Sequence, residues 1–133
     1  MENRLIYLAG PIDLDETDEK KKWRQWASKE LNELGFSTFS PVGAFSWRPG
    51  CGSESTIREV NWSALHASAA VLCYLPKGVQ TIGTIMEIFK CMQTGKSLYL
   101  CTDIKNAIYL HGIETFKTVQ DAVDSLGADF STK

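Results

Sequence analysis

The sequence predicts a three-layer α/β/α fold on a doubly wound, mostly parallel sheet of four to five strands, and two observations carry that prediction. Short apolar runs at Leu5-Ile6-Tyr7-Leu8-Ala9, Ala69 to Leu75 and Ser97 to Cys101 have the length and lack of alternation expected of strands buried on both faces. Between them lie longer segments with apolar residues at helical spacing. Strands alternating with helices imply a parallel sheet joined by right-handed crossovers. At 133 residues and 44% hydrophobic content, the chain reads as one domain, 1–133, with a single core.

The first run, Leu5 to Ala9, is closed by Gly10-Pro11 and predicts a central strand. Asp13, Asp15 and Asp18 crowd the loop that follows. The spacing of Trp23, Ala27, Leu31 and Leu34, with Trp26 beside them and Gly35 as a stop, predicts the first helix. Lys20, Lys21 and Lys22 read as its solvated face. Phe36 to Phe39 alternates into a second strand. Val42 to Ser55 is irregular and carries Phe45, Trp47 and Arg48; a loop of that length inside a compact domain is usually functional, so Trp47 is a candidate to stack on a flat ligand. The alternative is an aromatic edge tucked under the core.

A helix over roughly Thr56 to Ala67 turns Ile57, Val60 and Ala64 to one side, and Asn61 falls on that inward side. An amide buried there without partners costs ~1–3 kcal/mol, so it needs hydrogen bonds or a ligand. Ala69 to Leu75 and Ser97 to Cys101 make the third and fourth strands, and Ala107 to Leu110 is a candidate fifth. Val119, Ala122, Val123 and Leu126 define a closing helix, with Asp129 to Lys133 expected as a loose tail.

The most informative stretch is Thr81 to Lys90, a small polar turn that enters a helix near Gly83. Its expected inner face is Ile85, Ile88, Phe89 and Met92, with Gly95 as a stop. A helix opening there points free backbone N–H groups and the positive end of its dipole above the turn, so Thr81 to Thr84 are a candidate anion or phosphate seat. Glu87, one turn in, is favoured in its charged form by ~0.3–1 kcal/mol from the dipole, and an ionised nucleophile at neutral pH is expected. An ordinary glutamate complementing the dipole would read the same way. In doubly wound sheets, ligands bind beyond the carboxyl ends of the strands where strand order reverses. That geometry gathers Gly10 to Asp13 and Pro76 to Glu87 on one rim.

Composition excludes several classes of partner. Fourteen Lys+Arg against sixteen Asp+Glu, with no basic block, argue against a nucleic-acid polymer. No apolar run approaches the ~18–20 residues needed to span a bilayer, and Met1-Glu2-Asn3-Arg4 lacks the features of a signal peptide, so no membrane association and a cytoplasmic location are expected. Cys51, Cys73, Cys91 and Cys101 show no CxxC pairing and read as reduced thiols, with neither a zinc site nor a disulfide frame.

Tyr7-Leu8-Ala9-Gly10-Pro11-Ile12, the tryptophan-bearing first helix, a polar residue on the helix before Ala69 to Leu72, and Gly83-Thr84-x-x-Glu87 followed by Lys96-Ser97-Leu98 together resemble the nucleoside 2-deoxyribosyltransferase-like family. The resemblance runs from Leu5 to about Leu100 in order and spacing. It implies a flavodoxin- or Rossmann-like fold and cleavage of the N-glycosidic bond of a nucleoside or nucleotide. The glutamate attacks the anomeric carbon, and the glycosyl-enzyme is discharged to another base in the transferases or to water in the nucleotide hydrolases.

By that resemblance Glu87 is the nucleophile, Tyr7 positions it or the sugar, and Gly10 and Ile12 let backbone approach the ligand. Thr81 corresponds to the hydroxyl residue at the 5′-phosphate, and Thr84 and Gly83 belong to the same terminus. A homodimer or higher homo-oligomer is implied, with Trp62 a candidate interface anchor, and no cofactor. Asp13 and Asp15 are the nearest candidates to neutralise the leaving nitrogen.

Asn61 departs from the family pattern, which carries an aspartate there; the amide keeps hydrogen bonding but has no acid or base role. Either the substrate differs, another carboxylate such as Asp13 or Glu59 substitutes, or the chain binds a nucleotide without turning it over. Gly83-Thr84-Ile85-Met86-Glu87 also resembles the second half of the Pro-Gly-Gly-x-Gly-Thr-x-x-Glu signature of lysine-decarboxylase-like phosphoribohydrolases, whose Pro-Gly-Gly is absent here.

Overall fold

The computed structural model describes residues 3–10, 18–40, 54–76, 82–104 and 113–131. In chain order these form β1 (Leu5–Ala9), α1 (Asp18–Glu33), β2 (Ser37–Phe39), α2 (Glu54–Ala67), β3 (Ala70–Leu75), α3 (Ile82–Gln93), β4 (Ser97–Thr102), β5 (Thr115–Phe116) and α4 (Val119–Ser131). The strands pair in one parallel sheet of order β2-β1-β3-β4-β5. The chain steps outward from β1 to β2, then returns across β1 to β3, so strand order reverses between β1 and β3. This is the doubly wound, flavodoxin-like arrangement, with its switch point at those two carboxyl ends.

Alternate strand residues point to opposite faces, and each face has its own core. Ile6, Leu8, Ala70 and Leu72 face α1 and α4, where Ala27, Leu31 and Leu126 meet them. Tyr7, Ala9, Val71 and Cys73 face the other way and pack against Leu65 of α2 and Ile88 of α3. Both faces are covered, which explains why Ile6 to Ala9 are all fully buried and why β1 reads as an unbroken apolar run.

The two predicted helix stops hold, for a common reason. Gly35 (φ 90°) and Gly95 (φ 71°) adopt left-handed backbone. Phe36 N–H donates to Leu31 O and Gly35 N–H to Asn32 O, and Lys96 and Gly95 repeat the pattern on Cys91 and Met92. Each glycine thereby satisfies carbonyls that the helix end leaves open. At α4, Thr118 caps the start by accepting from Asp121 N–H at 3.0 Å.

Four expectations change. The fifth strand of the sheet is Thr115–Phe116, paired with Leu100 and Cys101, while the predicted Ala107 to Leu110 lies outside the described residues. The closing helix continues to Ser131, because Phe130 is buried against Phe36 (5.2 Å, edge-on) and Asp129 accepts from Tyr99 at 2.6 Å; Asp129 to Ser131 are therefore no loose tail. Leu34 and Val60, expected inward, are exposed. Most consequentially, α3 is rotated: Ile85, Phe89 and Met92 face outward with Met86, and the buried positions are Thr84, Glu87, Ile88 and Cys91.

Candidate active site

Glu87 reaches the core because of that rotation. Positions 84, 87, 88 and 91 form one helical stripe, and with Ile88 and Cys91 fixed in the core beside β3 and β4 the carboxylate is carried inward to 7% exposure. It faces Tyr7 of β1, which is fully buried and whose ring stacks on Phe39 of β2 (5.6 Å between centroids, 19° between planes). Phenol and carboxylate interact as donor and acceptor, and among the described residues neither Tyr7 Oη nor Glu87 Oε2 has a further partner.

Asn61 is buried on α2, one turn before the core residue Leu65, and its Oδ1 has no partner among the described residues. Tyr7, Leu65 and Ile88 belong to one core cluster, so the three unsatisfied polar groups flank the same apolar patch. Buried polar atoms are nearly always hydrogen-bonded, so three in one layer with capacity to spare make this patch the candidate site. Glu59, the alternative carboxylate on α2, is exposed.

The rim residues divide. Thr84 is buried on α3, three residues before Glu87. Gly83 is exposed at the helix start, and a side chain there would meet nothing within 4 Å, so protein packing does not demand the glycine. Gly10 is different: a Cβ would lie 2.5 Å from Trp23 Cζ2 and 3.3 Å from Tyr74 O, so Gly10 makes room for Trp23 and β3. Ile12, Asp13, Asp15, Trp47 and Thr81 lie outside the described residues.

Sequence reasoning missed Arg24. It is 4% exposed on α1, donates from Nη2 to Gly10 O at 2.8 Å, and lies against the Trp23 ring at 5.0 Å. A signal was present: Arg24, Ala27 and Leu31 fall at i, i+3 and i+7, which places a guanidinium on the inward stripe, where charged residues are rare unless partnered.

The nucleoside 2-deoxyribosyltransferase-like family model matches residues 3–104, most of the chain. The chain belongs to that family. No curated protein matches it significantly in sequence. Among solved structures, the 2-deoxyribosyltransferase of Bacillus psychrosaccharolyticus superposes with a TM-score of 0.72 at 20% identity, covering 90% of each chain. The 2-deoxyribosyltransferase of Leishmania mexicana does so with 0.76 at 16% identity, covering 94% of this chain and 97% of that one. At these identities the superpositions establish the shared fold. The family match meets the expectation of an enzyme family.

Electrostatics correct one expectation for this family member. Burial pushes the Glu87 carboxyl from 4.5 up to about 7, against the Tyr7 hydroxyl and the Arg24 charge, which both pull it down. That rise corresponds to about 3 kcal/mol, larger than the ~0.3–1 kcal/mol a helix dipole supplies. Desolvation wins, and the carboxyl titrates near neutrality instead of remaining fully ionised. Burial likewise raises the Tyr7 phenol and the Cys73 thiol, and the Glu87 charge raises both further; each stays protonated at neutral pH. Among the described residues no group of three or more His, Cys, Asp or Glu is placed to hold a metal ion, and no helix is long and apolar enough to cross a membrane.

Proposed function

We propose that the chain cleaves the N-glycosidic bond of a nucleoside, with a nucleoside 5′-monophosphate as the preferred form, through Glu87. The observation that carries this reading is a buried carboxylate with an open oxygen beside a buried phenol, next to the switch point of the sheet. Glu87 in its anionic form attacks the anomeric carbon as the bond to the base nitrogen breaks through an oxocarbenium-like transition state, and the base departs with a proton. Water then displaces the carboxylate and returns the free sugar phosphate. The Tyr7 hydroxyl orients the carboxylate, the Asn61 amide offers its open Oδ1 to a sugar hydroxyl, and Asp13 is assigned the leaving nitrogen. The start of α3, with Thr81, Gly83 and Thr84, suits a 5′-phosphate, since backbone N–H groups and the dipole favour an anion there; Ile12 and Trp47 complete the proposed ligand contacts.

The transferase reading differs only in the acceptor, a second base in place of water, and the family name favours it. A nucleotide-binding protein without turnover is the third outcome. One experiment separates them: purified protein is incubated with ribo- and deoxynucleosides and their 5′-monophosphates, with and without a free acceptor base, and released base is read by chromatography. Base release from a monophosphate, lost in Glu87→Ala, supports the hydrolase. Exchange that requires the acceptor supports the transferase, and tight binding with neither supports the sequestering protein. Wild-type turnover in Glu87→Ala removes Glu87 from the mechanism.

We also infer self-association through the outward face of α3. Ile85, Met86, Phe89 and Met92 are 45–60% exposed, an apolar stripe of the kind that marks an interface, flanked by Trp62 under Lys90 (5.0 Å). The buried free thiols Cys73, Cys91 and Cys101 suit a reducing cytoplasm.

A further inference from the structure

Trp23 is buried under α1 on one face of the sheet, and its indole nitrogen has no hydrogen-bond acceptor among the described residues. The ring sits where β1 and β3 end. Its Cζ2 and Cε2 atoms lie 2.5 and 3.2 Å from the place a Cβ on Gly10 would take, Tyr74 O lies 3.3 Å from that same place, and the Tyr74 ring packs on the indole at 5.3 Å. Cε2 is the carbon bonded to Nε1, so the N–H belongs to the edge of the indole that lines the exit of β1. Gly10 follows Ala9, which pairs with Cys73 of β3. The donor therefore stands at the β1/β3 switch point, the part of such a sheet where ligands bind. An indole N–H can only donate, and burying it unpaired is costly. Apolar packing alone does not call for a nitrogen at that place.

We propose that Trp23 is a specificity residue of the reaction: its indole N–H donates to a carbonyl oxygen on the far edge of the nucleobase, so the chain selects a base with an oxo group at purine C6 or pyrimidine C4 over one with an amino group there. The inference rests on the N-glycosidase reading and adds the class of base to it. The layers of the fold assign the base to this donor. Asn61 and Glu87 stand on α2 and α3, which cover the Tyr7 face through Leu65 and Ile88, and the start of α3 on that side is the proposed phosphate seat; Trp23 comes from α1 on the opposite face. With phosphate and sugar held from the α3 side, the base is the part left to extend toward α1. The spacing agrees, since Gly10 lies three residues beyond Tyr7, about 10 Å at the rise of a parallel strand, which is comparable with the length of a nucleoside. An exocyclic amino group at the far edge is itself a donor and would leave the N–H unpaired.

The test reads the indole itself. Protein carrying Glu87→Gln, which keeps a bound nucleotide whole, is labelled with heavy nitrogen at tryptophan and titrated with inosine, adenosine, uridine and cytidine 5′-monophosphates, ribo and deoxy, and with ribose 5-phosphate. The Trp23 N–H resonance is assigned among the four tryptophans by its loss in Trp23→Phe, or by eliminating the other three if that variant does not fold. The expected result is a downfield shift of this proton with the oxo member of each pair and none with the amino member or the sugar phosphate. Benzothienylalanine at position 23, which keeps the bicyclic shape with sulfur in place of N–H, is expected to raise the Kd of the oxo nucleotides about tenfold and to leave that of the amino nucleotides unchanged. A nucleotide that binds with the resonance unmoved, an equal shift with both members of a pair, or a shift with ribose 5-phosphate each overturns the inference and leaves the proposed function standing. If the benzothienylalanine protein does not fold, the resonance decides alone. A panel in which nothing binds overturns both readings, and turnover that survives Glu87→Ala removes Glu87 from the mechanism whatever the indole does.

Discussion

At the scale of the residue, Glu87 is governed by the competition between burial and charge. Its raised affinity for a proton belongs to the folded state, so it bears on stability as well as reactivity. Below the unfolded value of 4.5 the carboxyl is protonated in both states, and the stability tied to the bound proton is fully present; it is lost as pH rises through about 7, where the folded protein must bury a charge. Glu87→Gln is therefore expected to match wild type at pH 4.5 and to exceed it by about 2–3 kcal/mol at pH 8. Urea denaturation at the two pH values checks this; equal stabilities at pH 8 would mean that the carboxyl is not desolvated. A buried carboxylate that weakens the fold when it ionises is a usual cost of a functional site, as the proposed role of Glu87 requires. Glu87 and Tyr7 were legible as candidate site residues from the resemblance of their motifs. Their electrostatic state was not, because it is set first by burial and then by their mutual contact and by Arg24, which come from segments distant in sequence.

At the scale of the element, Gly10 joins the end of β1 to α1. A methyl group there meets the Trp23 ring at 2.5 Å, and that ring is buried between Arg24 and Tyr74 and has little room to yield. Gly10→Ala is expected to cost about 1–3 kcal/mol, the usual scale for overpacking, and to displace Arg24 from Gly10 O. A melting temperature within a degree of wild type would show that the ring moves aside freely. The same scale explains the two misjudged helix faces. On α3 the apolar residues Ile85, Met86, Ile88, Phe89 and Met92 surround much of the helix, so periodicity finds a helix but not which side is inside. On α2 Val60 lies outward and Asn61 inward. On α3 Glu87 takes an inward place that apolar spacing assigned to a hydrophobe, whereas on α2 the inward place expected of Asn61 holds and only Val60 turns outward.

At the scale of the whole molecule, the outward stripe of α3 predicts association. Phe89 is 60% exposed, the most exposed large apolar side chain among the described residues. Phe89→Lys is expected to leave the monomer folded, since the side chain packs on nothing in the described core, and to convert an oligomer into a monomer by light scattering at micromolar concentration. A wild-type protein that is monomeric across that range removes the α3 face as an interface. Glu87 and this stripe lie on opposite sides of one helix, so association would hold the helix that carries Glu87 from its outer side.

The sequence by itself determined the order of strands and helices, the stops at Gly35 and Gly95, and membership of a family through motifs on β1 and α3. These rest on contacts and dihedral preferences within a few residues, which local pattern encodes directly. Only the tertiary structure decided that α3 turns Glu87 toward the sheet, that Thr115–Phe116 is the fifth strand of the sheet, and that Arg24 reaches the switch point from the opposite layer. Those outcomes depend on which segments become neighbours. Burial and Coulomb interaction act through space, and Tyr7, Arg24, Cys73 and Glu87 have no common signature along the chain until folding packs β1, α1, β3 and α3 together.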